Sequence, residues 1–374
     1  MQSNWRLPAE SVVDIARPLD APTIGAVHFG GPDQPPGALS KLLLERIDAT
    51  PAGQRIDWAT YYFRDLDLAR ALIAASDRGV KVRLVIDGDP RLDTANDGAI
   101  ALLKRDGLNG GLVVRGAMPD PFDRLSGKLH TKIYAFSWPR PVALVGSFNP
   151  SGDEDTDAAT IAAIGDQDRG HNLLVELTSH ALVGRLVAQV DALARNGGSL
   201  SRFAEGQNHV YRDRDTALFF YPRLRSEIVE DAIDRLVAGD RMWAAMSHVK
   251  GATVDRIAAA ARRGVDIDIV VHDTERRVPQ KAVDAFRDAG VRVRRYHHPD
   301  RLPMHAKFIV METEGHMVSW FGSLNYNRNS RLLNDELLVR SANAETATVL
   351  LRRFAEIDSL PDCKDKQVGP SCRA

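Results

Sequence analysis

The chain has 374 residues, enough for two cores or for one large core built from two similar halves, and 49 Lys and Arg stand against 50 Asp and Glu for a formal charge of -1. That balance provides no global positive field to draw the protein to nucleic acid. No apolar run approaches the roughly 18 to 20 residues a membrane-spanning helix needs.

The opening MQSNWRLPAESVVDIARPLDA has neither a basic nor an apolar leader region, so the chain reads as soluble and without an address. Residues 58–87 then read as an aromatic strand and a helix with Leu68, Ala71, Leu72 and Ala75 on one face. Arg78-Gly79-Val80 and an alternating strand follow. Further on, LHTKIYAF places His130 and Lys132 on one face of a strand, and VALVGSFNPSG ends an adjacent strand with Gly146, Ser147 and Asn149. The acidic run Asp153-Glu154-Asp155-Thr156-Asp157 lacks the spacing and glycine of a calcium loop and reads as a solvated loop. From Asn196-Gly197-Gly198-Ser199 to about Asp215 helical periodicity gives way to glycine and polar residues, which divides the chain into residues 1–205 and 206–374.

The second half repeats the order of the first. Residues 243–271 give strand, helix and strand, with Val254, Ile257, Ala258 and Ala261 on the helix face and Arg263-Gly264-Val265 closing it. Each closing glycine stands where a helix end requires a left-handed residue. His297-His298 point to opposite sides of an extended chain and read as turn residues rather than a metal pair. MHAKFIVM then brings His305 and Lys307, and VSWFGSLNYN brings Gly322, Ser323 and Asn325. Strand, helix, strand units imply right-handed crossovers, so the expected fold class is α/β, two similar halves with mostly parallel sheets.

A phosphodiester requires a nucleophile, a proton donor for the leaving oxygen, and fixed positive charge and hydrogen-bond donors around the phosphoryl oxygens. Two histidines supply the first pair of roles near neutral pH, because one can be neutral while the other is charged. Lys132 and Lys307 supply the charge, and Ser147, Asn149, Ser323 and Asn325 are the candidate substrate-binding groups. No metal or other cofactor is required. One His-x-Lys carries almost no information, whereas two copies, each followed by Gly-Ser-x-Asn and preceded by the same unit, point to one site shared by both halves.

These residues resemble the phospholipase D superfamily, whose signature is His-x-Lys, four residues, Asp, then Gly-Ser-x-Asn, twice per active site. The resemblance runs from about Ile56 to Phe354, and SLNYNRNSRLLNDELLV is similar to the bacterial phospholipase D and cardiolipin synthase branch. It implies two α/β halves about a pseudo-two-fold axis, with the first-motif histidine as nucleophile through a covalent phospho-histidine and the second protonating the leaving group. It also implies a phospholipid or related phosphodiester as substrate, transfer to an alcohol as an alternative to hydrolysis, and peripheral contact with a membrane. A metal-independent nuclease of the same superfamily is the alternative, ranked lower on net charge, and a non-catalytic binding module comes last. The chain is expected to act as a monomer.

Two departures stand out. Where the family aspartates belong the chain has Ser137 and Glu312, which bears on substrate more than on catalysis if that aspartate is structural. Aligning HNLLVEL with NDELLVR sets Asn172 opposite Glu336, where the family uses an acid to orient an imidazole. With the carboxylate on His305 that ring would hold its proton, and His130 would stay neutral and attack. Tyr61, Tyr62 and Phe63 end a strand near the expected cleft and are read as core. Cys363 and Cys372 lie in the tail CKDKQVGPSC, where either a disulfide or two free thiols would suit. The disulfide gives a slight lean to a secreted or periplasmic protein, and two cysteines without a nearby histidine do not make a zinc site.

Overall fold

The protein is described from a computed structural model covering residues 12–14, 22–108, 110–116, 127–152, 164, 168–195 and 208–360. The acidic run, both cysteines and the expected boundary at 205 lie outside the described residues.

Two sheets of similar plan carry the two halves. In the first, seven strands run in the spatial order Ile24–Gly30, Asn172–Leu177, Val142–Gly146, Ile133–Phe136, Arg55–Thr60, Lys81–Asp87, Leu112–Arg115. In the second, Thr216–Tyr221, Glu336–Ser341, His316–Gly322, Lys307–Thr313, Arg241–Met246, Asp266–His272 and Arg292–Tyr296 repeat that order. Val210–Asp213 extends its edge, and Val12–Asp14 pairs with it in parallel, so a piece of the N-terminal segment joins the second sheet.

The expectation of mostly parallel sheets is corrected. Apart from the short pairing of Val12–Asp14 with Val210–Asp213, only the strand, helix, strand portions are parallel, Arg55–Thr60 with Lys81–Asp87 and Leu112–Arg115, and Arg241–Met246 with Asp266–His272 and Arg292–Tyr296. The strands carrying the two motifs are antiparallel to their neighbours. The cause is connection length. Residues 137–141 and the pair Glu314-Gly315 are too short for a crossover and can only turn a hairpin. Glu314 and Gly315 both have positive φ, at 51° and 77°, as a two-residue hairpin turn requires.

Each sheet buries its outer face under helices. Leu66–Asp77 starts at Asp65, whose carboxylate accepts from the amides of Asp67 and Leu68 at 3.0 Å, and lays Leu68, Ala71, Leu72 and Ala75 on Trp58, Leu84 and Ile86. Ala252–Arg262 does the same in the second half with Val254, Ile257 and Ala258. The inner faces share one core. His180–Arg195 and Ala344–Ser359 contribute Leu186, Val190, Leu350 and Phe354 to a cluster that includes Val85 and Ile133 of one sheet and Phe308 and Val339 of the other. This common core fixes the halves face to face and brings the ends of their motif strands together.

Candidate active site

Two backbone crossings join the halves at the motifs. The amide of His130 donates to the carbonyl of Asp335 at 3.0 Å and that of Asp335 to Lys128 at 2.9 Å. In the other crossing His305 donates to His171 at 3.0 Å and His171 to Pro303 at 2.9 Å. Glycines permit this approach, since a Cβ on Gly127 would lie 1.8 Å from the carbonyl oxygen of Leu333, and one on Gly170 2.6 Å from Pro303. The glycine of each Gly-Ser-x-Asn has the same origin: a Cβ on Gly146 or Gly322 would meet the carbonyl oxygen of Leu173 or Leu337 at 2.1 and 2.2 Å.

The crossings decide which residue serves which histidine. His130 Nδ1 lies 2.8 Å from Glu336 Oε2, and His305 Nδ1 lies 2.9 Å from Asn172 Oδ1. The expected partnership is therefore reversed. Each residue after a Gly-Ser-x-Asn crosses the pseudo-axis to the other half's histidine, so the carboxylate sits on His130 and the amide on His305. Ser323 Oγ donates to the same Glu336 oxygen at 2.5 Å, and Ser147 Oγ donates to Asn172 Oδ1 at 3.0 Å. Both serines are fully buried and accept from the amides of Leu337 and Leu173, at 3.0 and 3.1 Å. Their hydroxyls, expected to meet the substrate, hold the imidazole partners instead. In this arrangement the oxygen partner takes the proton of each Nδ1, and each Nε2 presents a lone pair.

His130 and His305 line one cleft of about 800 Å³ together with Asn149 and Asn325. Lys132 and Lys307 are buried behind the histidines, their ammonium groups donating to the carbonyls of His130 at 2.6 Å and His305 at 2.7 Å. Neither lysine is among the residues that line the cleft. Asn149 Oδ1 accepts from the amide of Tyr62 at 3.4 Å, and Asn325 Oδ1 is buried with no hydrogen-bond partner among the described residues.

Burial dominates the protonation of both rings. His130 is pushed down to about 4, with Glu336 opposing burial and the two lysines adding to it. His305 is driven well below the usual imidazole value by burial, then by Lys307 and Arg277. Asp87 is a supporting residue that sequence reading missed. It accepts from the amides of Leu129 at 2.6 Å and Asp89 at 2.9 Å, and burial raises its carboxyl to about 6.

Ser137 and Glu312 lie at the far ends of the motif strands. Ser137 Oγ accepts from the amide of Arg55 at 2.8 Å, and Glu312 is 3.9 Å from Arg241, so both tie the motif strand to its neighbour. Tyr61 and Tyr62 belong to a small buried core cluster, as expected, and also line the cleft, with the Tyr61 ring 5.1 Å from that of His130, while Phe63 lies in the core of the first half. His298 Nδ1 accepts from the amide of Asp300 at 3.2 Å in a turn. Among the described residues no three His, Cys, Asp or Glu side chains are grouped to hold a metal ion, and no helix is long and apolar enough to cross a membrane.

The cleft is far more cationic than the chain. Arg91, Lys128, Lys250, Arg276, Arg277, Arg328 and Arg331 line it, and Glu227 is the carboxylate among its described lining residues. His248 lines it too. The signal for these residues was their place at the carboxyl ends of strands, where open α/β sheets collect ligands.

Two like α/β halves, with a histidine from each meeting in one cleft, define a two-motif phospholipase D-type protein. The family described as cardiolipin synthase, phospholipase D-like domain, matches residues 43–157 and again 234–357, and the chain belongs to that family. No curated protein matches the chain. Among solved structures, polyphosphate kinase from Porphyromonas gingivalis superposes with a TM-score of 0.58 at 15% identity, over 92% of this chain and 53% of that one. Phosphatidylserine synthase from Haemophilus influenzae superposes with a TM-score of 0.56 at 11% identity, over 89% of this chain and 85% of that one. This chain therefore spans about half of the kinase and most of the synthase, and at these identities the likeness is one of fold.

Proposed function

We propose that the protein cleaves or transfers a phosphodiester through a covalent phospho-histidine, with His130 as nucleophile and His305 handling the proton. The observation that carries this reading is the unequal pairing of two equivalent imidazoles, carboxylate on one and amide on the other. Attack by Nε2 of His130 forms the N–P bond and places positive charge on that ring. Glu336 offsets the charge through Nδ1. Phosphorylation of His305 would put a cation beside Lys307 with an amide rather than a carboxylate on its Nδ1, so that ring is left the proton work. Entry of the phosphate anion offsets the lysines and lets His305 take up a proton. It passes this proton to the leaving alcohol as the P–O bond breaks. In the second step neutral His305 removes a proton from water or an alcohol as its oxygen displaces His130 from phosphorus.

Lys132 and Lys307 stabilise the charge that builds on the phosphoryl oxygens. The family and the likeness to a phosphatidylserine synthase support a phospholipid headgroup as substrate, with transfer to an alcohol open to the same intermediate. The cationic cleft favours a second reading, a nuclease, because the local field rather than the net charge meets the ligand. A product assay on a phospholipid panel and on single- and double-stranded DNA, run with and without chelator, separates the two. Turnover of lipid under chelation is expected. Complete loss on a soluble diester, restored by one stoichiometric metal, would overturn the mechanism.

A further inference from the structure

We infer that the cleft contains a second anion subsite, formed by His248, Lys250 and Arg276, which seats a further phosphate group of the substrate on the side of the leaving oxygen. The placement on that side rests on the role given to His305 above.

The three residues come from the second half, at the loops following Arg241–Met246 and Asp266–His272, and line the same cleft as both catalytic histidines. Among the described residues no carboxylate forms an ion pair with the side chain of Lys250 or Arg276. Burial and then the neighbouring Arg276 hold the Lys250 ammonium below its ordinary range, and burial and then Arg91 do so for Arg276. Like charges gathered without a counter-ion favour a multivalent anion between them.

His248 adds a directed donor. Arg277, itself buried, donates through Nη1 to Ser247 Oγ at 2.9 Å and through Nη2 to the carbonyl of Ile164 at 3.0 Å. Guanidinium only donates, so Ser247 Oγ accepts there, and the hydroxyl proton, fully buried, is directed to His248 Nδ1 at 3.1 Å. That fixes His248 with its proton on Nε2. Burial, then Arg277, keeps the ring neutral, with Lys307 contributing. Arg277 acts on His305 as well, and His248 and His305 line the same cleft.

The first half provides an internal comparison. Counting from Arg55 and Arg241, which pair with the first residues of equivalent strands, Tyr61 and Tyr62 correspond to Ser247 and His248, and Arg64 to Lys250. Arg64 is spent on the carbonyl of Ser151 at 3.2 Å. The catalytic residues obey the pseudo-symmetry and the relay does not, so it serves the substrate rather than the fold.

Calorimetric titration of the His130→Ala protein tests this without turnover. The ligands are propyl phosphate and propane-1,3-diol bisphosphate. The bisphosphate should bind at least about tenfold more tightly, and Lys250→Ala, Arg276→Ala or His248→Ala added to His130→Ala should reduce that ratio to below about threefold. His248→Gln, whose amide N–H reaches the position of Nε2–H, should restore it, which a purely structural role of the ring would not predict. Displacement of the bisphosphate by oligothymidylate identifies a nucleic acid, and by vesicles carrying phosphatidylglycerol phosphate a lipid headgroup. Equal affinities for the two ligands, or a ratio unmoved by all three alanines, would overturn the subsite while leaving the phospho-histidine reading intact.

Discussion

At the scale of single residues the site is two imidazoles made unequal by their partners. Glu336→Gln keeps the hydrogen bond to His130 but removes the charge that offsets N–P bond formation, and turnover should fall by about 10- to 100-fold, as when an orienting partner of a reactive imidazole is lost. Steady-state kinetics on an aryl phosphodiester measures this, and an unchanged rate would remove Glu336 from the mechanism. Replacing His305 should hurt alkyl leaving groups far more than aryl ones, which depart without a proton. Lys132→Met and Lys307→Met should each lose about 2.7 to 4 kcal/mol of transition-state stabilisation, mainly in kcat. A loss confined to KM would show that the lysines only bind.

At the scale of elements, the two crossings determine function because each sets one half's histidine on the other half's partner. Gly127→Ala should separate the strand ends around His130 and Asp335, since its Cβ would meet the carbonyl oxygen of Leu333 at 1.8 Å. Activity should fall by more than tenfold while far-ultraviolet dichroism stays native, as about a 1 Å misplacement costs on the order of 100-fold. Full activity would show that the crossing is compliant. These crossings also mark what the sequence could and could not tell. The paired motifs and the repeated strand, helix, strand unit were legible as local patterns. The partnership of Glu336 was not, because it spans 206 residues and depends on how the sheets face each other. Strand direction differs from the expectation because the crossover units imply parallel pairing while the short turn at Glu314-Gly315 makes an antiparallel hairpin. Tyr61 and Tyr62 are core as expected, in a small buried cluster with Ala95 and Ile164, but that cluster also borders the cleft, which an aromatic ending a strand does not reveal in sequence.

At the scale of the whole molecule, several histidines are buried uncharged, which couples stability to pH. His130 is lowered to about 4, and His171 and His272 to about 3, from an ordinary 6.5. Below pH 6.5 the unfolded chain takes up these protons before the native one does, so their stabilisation is complete above 6.5 and is lost as pH falls toward the native values. Asp87, raised to about 6, works in the opposite direction between 6 and its ordinary 3.8. The histidines outnumber it. Melting temperature should therefore fall steadily from pH 6.5 to 5, each net proton contributing up to about 1.4 kcal/mol per pH unit. A flat profile would mean that these rings are charged in the native protein.

One covalent bond, formed in one shared site, is central to the proposed chemistry. The direct measurement is mass spectrometry of enzyme quenched during turnover of an aryl phosphodiester, in the wild type and in His305→Ala, where hydrolysis of the intermediate should be slowed. A phosphoryl adduct on His130, absent from His130→Ala, is the predicted result. An adduct on His305 would exchange the two roles, and turnover by either alanine variant at a near-normal rate would contradict the shared site itself.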